Sequence, residues 1–190
     1  MKLAIADPPY LGVAATWYGN GPPAHSRRTT LNTPTRKADN HPDAHLWDDP
    51  DQHRQLLAQL QQDYDGYAVA MKPASLWRYL QWCSPTDHRI AAWVKTSSMP
   101  NASRPISSWE PVLLRVPDGR RKAHQRPLPV HDWIATAGPS RASTYVGQKP
   151  PAWTRWVLTM LGYDPDVDTV DDLFPGSGAV TNEIAQGVLL

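Results

Sequence analysis

Cysteine is nearly absent from this chain: Cys83 is the only one among 190 residues. One thiol permits no intramolecular disulfide, which excludes a disulfide-stapled scaffold and makes the reducing cytoplasm the expected compartment. Net charge is nearly absent too, with 19 Lys+Arg against 18 Asp+Glu. That balance excludes a generally basic nucleic-acid coat but leaves room for a local basic groove. No stretch approaches the roughly 20 apolar residues of a membrane span, so no membrane partner is expected. Met1-Lys2 runs straight into an apolar segment, so no secretory leader is expected. Phenylalanine occurs once, whereas tryptophan occurs nine times. Most of these indoles are expected in the core and at helix interfaces, and a few as base-stacking surfaces. There is no internal repeat and no low-complexity tail. The length suits a single domain over residues 1–190 with its own core.

Leu3 to Ala6 reads as a short buried strand. From about 11 to 48 the chain is polar, rich in Pro, Gly, Asn and His, and without periodicity. A loop of that length is usually a functional lid or a mobile segment. Asp49-Pro50 then opens a helix, because proline suits a first turn and acids favour its dipole. His53, Leu56, Leu57, Leu60 and Tyr64 share one of its faces. Gly66 to Met71 is a strand, Pro73 to Cys83 a helix with Leu76, Tyr79, Leu80 and Cys83 inward, and Arg89 to Val94 a strand. Ser107 to Val116 follows, interrupted by Glu110-Pro111. Residues 117–129 form a basic turn, and His131 to Thr136 a last short strand of this part. The clearest helix starts at Pro150 or Pro151. Trp153, Trp156, Val157, Met160 and Leu161 trace its apolar stripe, and Gly162 ends it. Thr169 to Phe174 is a strand and Ala179 to Gln186 a final helix. This alternation implies an α/β sheet.

Two motifs end predicted strands, where open α/β sheets bind their ligands. The first is Asp7-Pro8-Pro9-Tyr10. The N6 amine of adenine is a poor nucleophile, because its lone pair is delocalised into the ring. Two acceptors, the Asp7 carboxylate and the Pro8 carbonyl, can each take one N–H and draw the nitrogen toward tetrahedral geometry. Proline holds φ and keeps the preceding residue extended, so the acceptors are preorganised. Tyr10 offers a face for an extruded base. The same residues also make an ordinary Asp-Pro turn in a chain with 20 prolines. The second motif is Phe174-Pro175-Gly176-Ser177-Gly178, whose glycines let a ligand approach the backbone. It also reads as a simple helix-start turn. No Gly-Lys-Ser/Thr follows, so it is no P-loop. Thr181 occupies the third glycine position of the dinucleotide fingerprint, and no acid follows about 20 residues on. Gly147-Gln148-Lys149-Pro150 leads into the Trp-rich helix, whose start can receive an anion such as the carboxylate of a methionine moiety.

The order DPPY, then GQKP with an amphipathic helix, then DLFPGSG resembles the amino-group DNA methyltransferases of permuted motif order. It is most similar to short adenine-N6 enzymes of bacteriophages and actinobacteria, and the resemblance spans nearly the whole chain. It implies a Rossmann-like S-adenosylmethionine-dependent methyltransferase sheet, shortened after the glycine-rich motif. It implies S-adenosylmethionine as cofactor, no metal, double-stranded DNA with a flipped base as partner, and the host cytoplasm if a phage encodes the chain. By resemblance Asp7, Pro8, Pro9 and Tyr10 form the catalytic motif. Asp7, Lys149, Pro150, Asp172, Phe174, Gly176, Ser177 and Gly178 bind the cofactor. The family carries a further strand ending in a ribose-binding acid. This sequence ends one helix after Gly178, so weak cofactor binding, or completion by DNA, a homodimer or a partner subunit, is the expectation. The function implied is site-specific methylation of adenine N6 in DNA. Cytosine N4, RNA adenine, and a non-catalytic nucleic-acid-binding relic are the alternatives.

Weaker signals surround these motifs. Arg27, Arg28, Arg36 and Lys37 in the long loop, and Arg120, Arg121, Lys122 and Arg126 in the basic turn, are candidates for phosphate contacts or for plain solvated charge. His41, Asp43, His45 and Asp48 fit no standard metal spacing and read better as turn residues. Trp109-Glu110 can sit near the pocket or simply on a strand face. Cys83 reads as packing rather than as a nucleophile.

Overall fold

A computed structural model describes residues 1–19, 41–96, 105–122, 130–137 and 147–186. Its frame is a six-stranded sheet in the order β5-β3-β4-β2-β1-β6. The apolar run becomes β1 (Lys2–Ala6), which lies parallel between β2 (Gly66–Ala70) and β6 (Thr169–Asp172). A strand covered on both faces must be apolar at every position, and Leu3, Ala4, Ile5 and Ala6 are all fully buried. Beyond β2, β4 (Trp109–Arg115) runs antiparallel, and β3 (Arg89–Lys95) and β5 (Trp133–Thr136) restore the parallel direction.

Alternation in the strands sorts two cores. Leu3, Ile5, Ala91, Trp93, Val112 and Leu114 meet α4 (Pro151–Leu161) and Val180 of α5 (Ala179–Ala185). Ala4, Ala6, Val69 and Leu113 meet α2 (Pro50–Asp63) and Tyr79 of α3 (Leu76–Tyr79). The stripes read from helical spacing are the buried ones: His53, Leu56, Leu57, Leu60 and Tyr64 in and just after α2, and Trp153, Trp156, Val157, Met160 and Leu161 in α4. Asp49 caps α2 by accepting from the Asp51 N–H at 3.0 Å, and Gly162 ends α4 at φ 67°.

Two expectations need correction. The stretch 11–48 is not a plain loop: α1 (Ala14–Tyr18) and a 3-10 turn at Ala44–Asp48 stand at its two ends. A five-residue helix is too short to leave a periodic signature. It is held from outside instead, because the Asp48 carboxylate accepts from the Ala14 and Ala15 N–H groups at 2.9 and 3.0 Å. The His41 N–H donates to the Tyr18 carbonyl at 2.8 Å, which ties the end of α1 to the segment that leads into the 3-10 turn. Replacing Asp48 by alanine will cost about 1 kcal/mol, the usual loss of an N-terminal cap, measured as a lower urea midpoint. The second correction concerns Pro73 to Cys83. It is a 3-10 turn at Pro73–Ser75 and one turn of α3, followed by tight turns such as Trp82 N–H to the Tyr79 carbonyl. The tighter winding shifts the angular phase, and Leu80, expected inward, is exposed.

Candidate active site

Strand alternation decides which side chains gather at the carboxyl edge of the sheet. Leu3 and Ile5 face α4, and Asp7 continues that row past the end of β1. Ala91 and Trp93 face the same way, and Lys95 follows them in β3. In β4, Leu114 and Val112 lead to Glu110, which pairs directly with Trp93 across the ladder. Lys149 arrives from the opposite direction, just before α4 begins.

These side chains interlock. The Lys149 ammonium donates to Asp7 Oδ1 at 2.8 Å and to the Tyr10 hydroxyl at 2.9 Å. The Tyr10 hydroxyl donates in turn to Glu110 Oε2 at 2.7 Å, and Lys149 Nζ lies 3.5 Å from the same oxygen. Lys95 closes the set on Glu110 Oε1. Three rings surround the Lys149 ammonium, those of Tyr10, Trp153 and Trp93, with centroids 5.3, 5.6 and 5.7 Å away. Lys149 is only 4% exposed. The Asp7 side chain keeps 21% of its exposure, so it is reachable from the crevice.

The charges balance: two carboxylates, Asp7 and Glu110, face two ammonium groups, Lys95 and Lys149. Burial pushes the Asp7 carboxyl up, against the opposing pull of Lys149. Burial alone would also raise Glu110, yet Lys149 and Lys95 together hold it below the usual carboxylate range. Burial works against charge on Lys149, but Asp7 and Glu110 overcome it and keep the group firmly an ammonium. Tyr10 is pushed well above its ordinary value by burial and by the two carboxylates, so it stays a neutral phenol with a proton to donate.

The glycine motif lies one strand away. β1 and β6 are paired with Ile5 opposite Asp172, so the segments that carry Asp7 and Phe174 leave neighbouring strands side by side. Asp172 organises this turn: Oδ1 accepts from the Phe174 N–H at 3.3 Å and Oδ2 from the Thr181 hydroxyl at 2.8 Å. Gly176 and Gly178 adopt φ of 42° and 74°, a region that glycine enters without strain. A Cβ built on either meets no protein atom closer than 3.6 Å, so their open faces suit a ligand lying against the backbone. Phe174 packs edge-on against Trp47, with centroids 4.9 Å apart. The segment 44–48 thereby touches α1 through Asp48 and the glycine turn through Trp47.

The structure brings Asp7, Tyr10 and Lys149 into direct contact. Pro8 and Pro9 lie between Asp7 and Tyr10, Pro150 stands at the entrance to α4, and Asp172, Phe174, Gly176, Ser177 and Gly178 form the neighbouring turn. Lys149 spends its hydrogen bonds on Asp7 and Tyr10 rather than at the helix start. Sequence reasoning left Glu110 undecided and passed over Lys95 and Trp93. The usable signal was alternation, since Glu110, Val112 and Leu114 form one row, which places a carboxylate in line with core residues. Trp109 belongs to the other row.

The basic turn is a correction. Because β4 is antiparallel, the chain after Arg115 emerges at the amino ends of β1, β2 and β6, opposite the crevice. Arg120 is committed there to Asp168 and the Gly162 carbonyl. The Asp168 carboxyl, which burial would raise, is drawn down to about 2 by Arg120 and its other hydrogen bonds. Arg121 pairs with Asp118 at 2.8 Å, and Lys122 follows it on the same turn. Arg27, Arg28, Arg36, Lys37 and Arg126 lie outside the described residues. Among the described residues no three His, Cys, Asp or Glu side chains are grouped to hold a metal; Asp48 serves α1, and His45 bonds the Pro42 carbonyl. No described helix is long and apolar enough to cross a membrane. Burial raises the Cys83 thiol, which disfavours the nucleophilic thiolate.

Strand order, the antiparallel β4 and the glycine turn after β6 define an open, mostly parallel Rossmann-like α/β sheet. The chain is similar over 97% of its length to the crystal structure of the M1.HpyAVI–SAM complex, covering 78% of that chain with a TM-score of 0.55 and 14% sequence identity. No family model matches the sequence, and no curated protein matches it.

Proposed function

We propose that the protein transfers a methyl group from S-adenosylmethionine to the exocyclic N6 amine of adenine in DNA. The observation that carries this reading is Asp7. It is a carboxylate gripped from beneath by a buried ammonium and open toward the crevice, one strand from the positive-φ glycines.

Gly176, Ser177 and Gly178 would hold the cofactor against the backbone, beside Phe174 and the turn that Asp172 organises. Bound there, S-adenosylmethionine supplies an electrophilic methyl group. Every other task falls to the chain itself. Asp7 and the Pro8 carbonyl accept the two amine hydrogens and localise the nitrogen lone pair. Lys149 binds Asp7 Oδ1, and its charge opposes the rise that burial imposes on the carboxyl. Tyr10 is locked between Lys149 and Glu110 through its hydroxyl, which fixes its half-exposed ring as a stacking face for the flipped base. A methylated exocyclic ammonium on adenine is strongly acidic, so its proton leaves without a dedicated base.

Mass analysis of nucleosides from DNA incubated with the purified protein and S-adenosylmethionine tests the reading. N6-methyladenine is the expected product. N4-methylcytosine in its place would change the base, and methyl transfer confined to RNA would change the polymer. No methylated nucleoside in either polymer would overturn the assignment.

A further inference from the structure

Every charge in the cluster around Asp7 has a partner, but one cation beside it has none among the described residues. Lys72 follows β2 at the carboxyl edge, half-buried, and its ammonium rests against Gly12, two residues past Tyr10. A Cβ on Gly12 would lie 3.4 Å from Lys72 Nζ, and the glycine has φ of 76°. The cation is thus seated directly on the turn that leaves the catalytic motif. Among the described residues Lys72 makes no hydrogen bond or ion pair through its side chain. Asp7 and Glu110 are already balanced by Lys149 and Lys95, so Lys72 adds one uncompensated positive charge to this rim.

A half-buried cation without a counter-ion is a site for an anion. Strand order says which one. The glycine turn follows β6, on one side of β1, whereas Lys72 follows β2, on the other. An anionic group of the cofactor belongs on the β6 side. The anion on the β2 side, against the turn after Tyr10, belongs to the molecule that presents the base. We propose that Lys72 anchors a backbone phosphate of the nucleic-acid substrate, close to the flipped nucleotide. This rests on the nucleic-acid methyltransferase reading and adds to it a contact that positions the strand without reading its sequence.

The test uses the full chain, a fluorescently labelled DNA duplex for binding, and unmethylated genomic DNA for methyl transfer. Loss of one phosphate contact in Lys72→Gln should flatten the plot of log affinity against log salt by about one unit. The KM for DNA should rise several-fold, with the KM for S-adenosylmethionine unmoved. Lys72→Arg keeps the charge and should restore the slope. Lys122→Gln removes a cation at the opposite edge of the sheet and should leave the slope as it is. A wild-type slope in Lys72→Gln, or an equal loss in Lys122→Gln, overturns the anchor while leaving the methyltransferase reading intact. A change in the KM for S-adenosylmethionine alone would assign the anion to the cofactor and also overturn it. Absence of methyl transfer by the wild-type protein overturns both readings together.

Discussion

Under the proposed function, replacing Asp7 by alanine will slow methyl transfer by roughly two to three orders of magnitude, equivalent to about 2–4 kcal/mol of barrier. The loss follows from where the carboxylate sits. It is the one acidic side chain of the cluster that is still reachable from the crevice, with 21% of its surface open, whereas Glu110 is enclosed by Tyr10, Lys95 and Lys149. Removing it takes away a charge-assisted acceptor from the target amine. The fold should survive, because Lys149 retains the Tyr10 hydroxyl and Glu110 as partners. Single-turnover transfer of a labelled methyl group, alongside a thermal unfolding curve, separates these effects. A folded variant with near-normal turnover would sink the role assigned to Asp7.

Replacing Lys149 by methionine strikes stability and chemistry together. The side chain is 3% exposed, and its ammonium is the shared counter-ion of Asp7 and Glu110. Methionine keeps much of the volume and the packing against Trp93 and Trp153, but it leaves one carboxylate without its cation. Breaking a buried pair from one side costs about 3–5 kcal/mol, to be read from urea denaturation. The second consequence concerns pH. Burial already raises the Asp7 carboxyl, and Lys149 is the first group that opposes it. Asp7 must be ionised to accept the amine hydrogens, so activity falls as pH drops through its pKa. Without Lys149 that pKa rises further, and the acid limb of the rate profile moves to higher pH. Glu110 pushes in the same direction, and Tyr10 remains a neutral neighbour. An unmoved acid limb in the folded variant would mean that Lys149 only fills space.

Much of the architecture was legible because it is written in local periods. A run of four buried residues made β1, a spacing of three and four made α2 and α4, and Gly162 stopped α4 through its left-handed φ. Both site motifs lay at strand ends, and β1 and β6 are neighbours, as a shared crevice requires. Helices of four or five residues escaped. Helix α1 depends on a cap that comes from Asp48, more than thirty residues away, and α3 on turns that break the helical phase.

By itself, then, the sequence determined the α/β class, the main helices and the two motifs, since each is encoded by neighbours within one or two turns of chain. Tertiary structure alone decided what those motifs touch. Lys149 lies 142 residues from Asp7 and reaches it only because α4 packs on the face toward which Asp7 points. Glu110 and Lys95 join them because β3 and β4 pair in one register, and a shift of one residue would have put the two side chains on opposite faces. The direction of β4 likewise carried Arg120, Arg121 and Lys122 to the far edge of the sheet. Strand order and direction are properties of pairing between distant segments, and no local pattern in the chain encodes them.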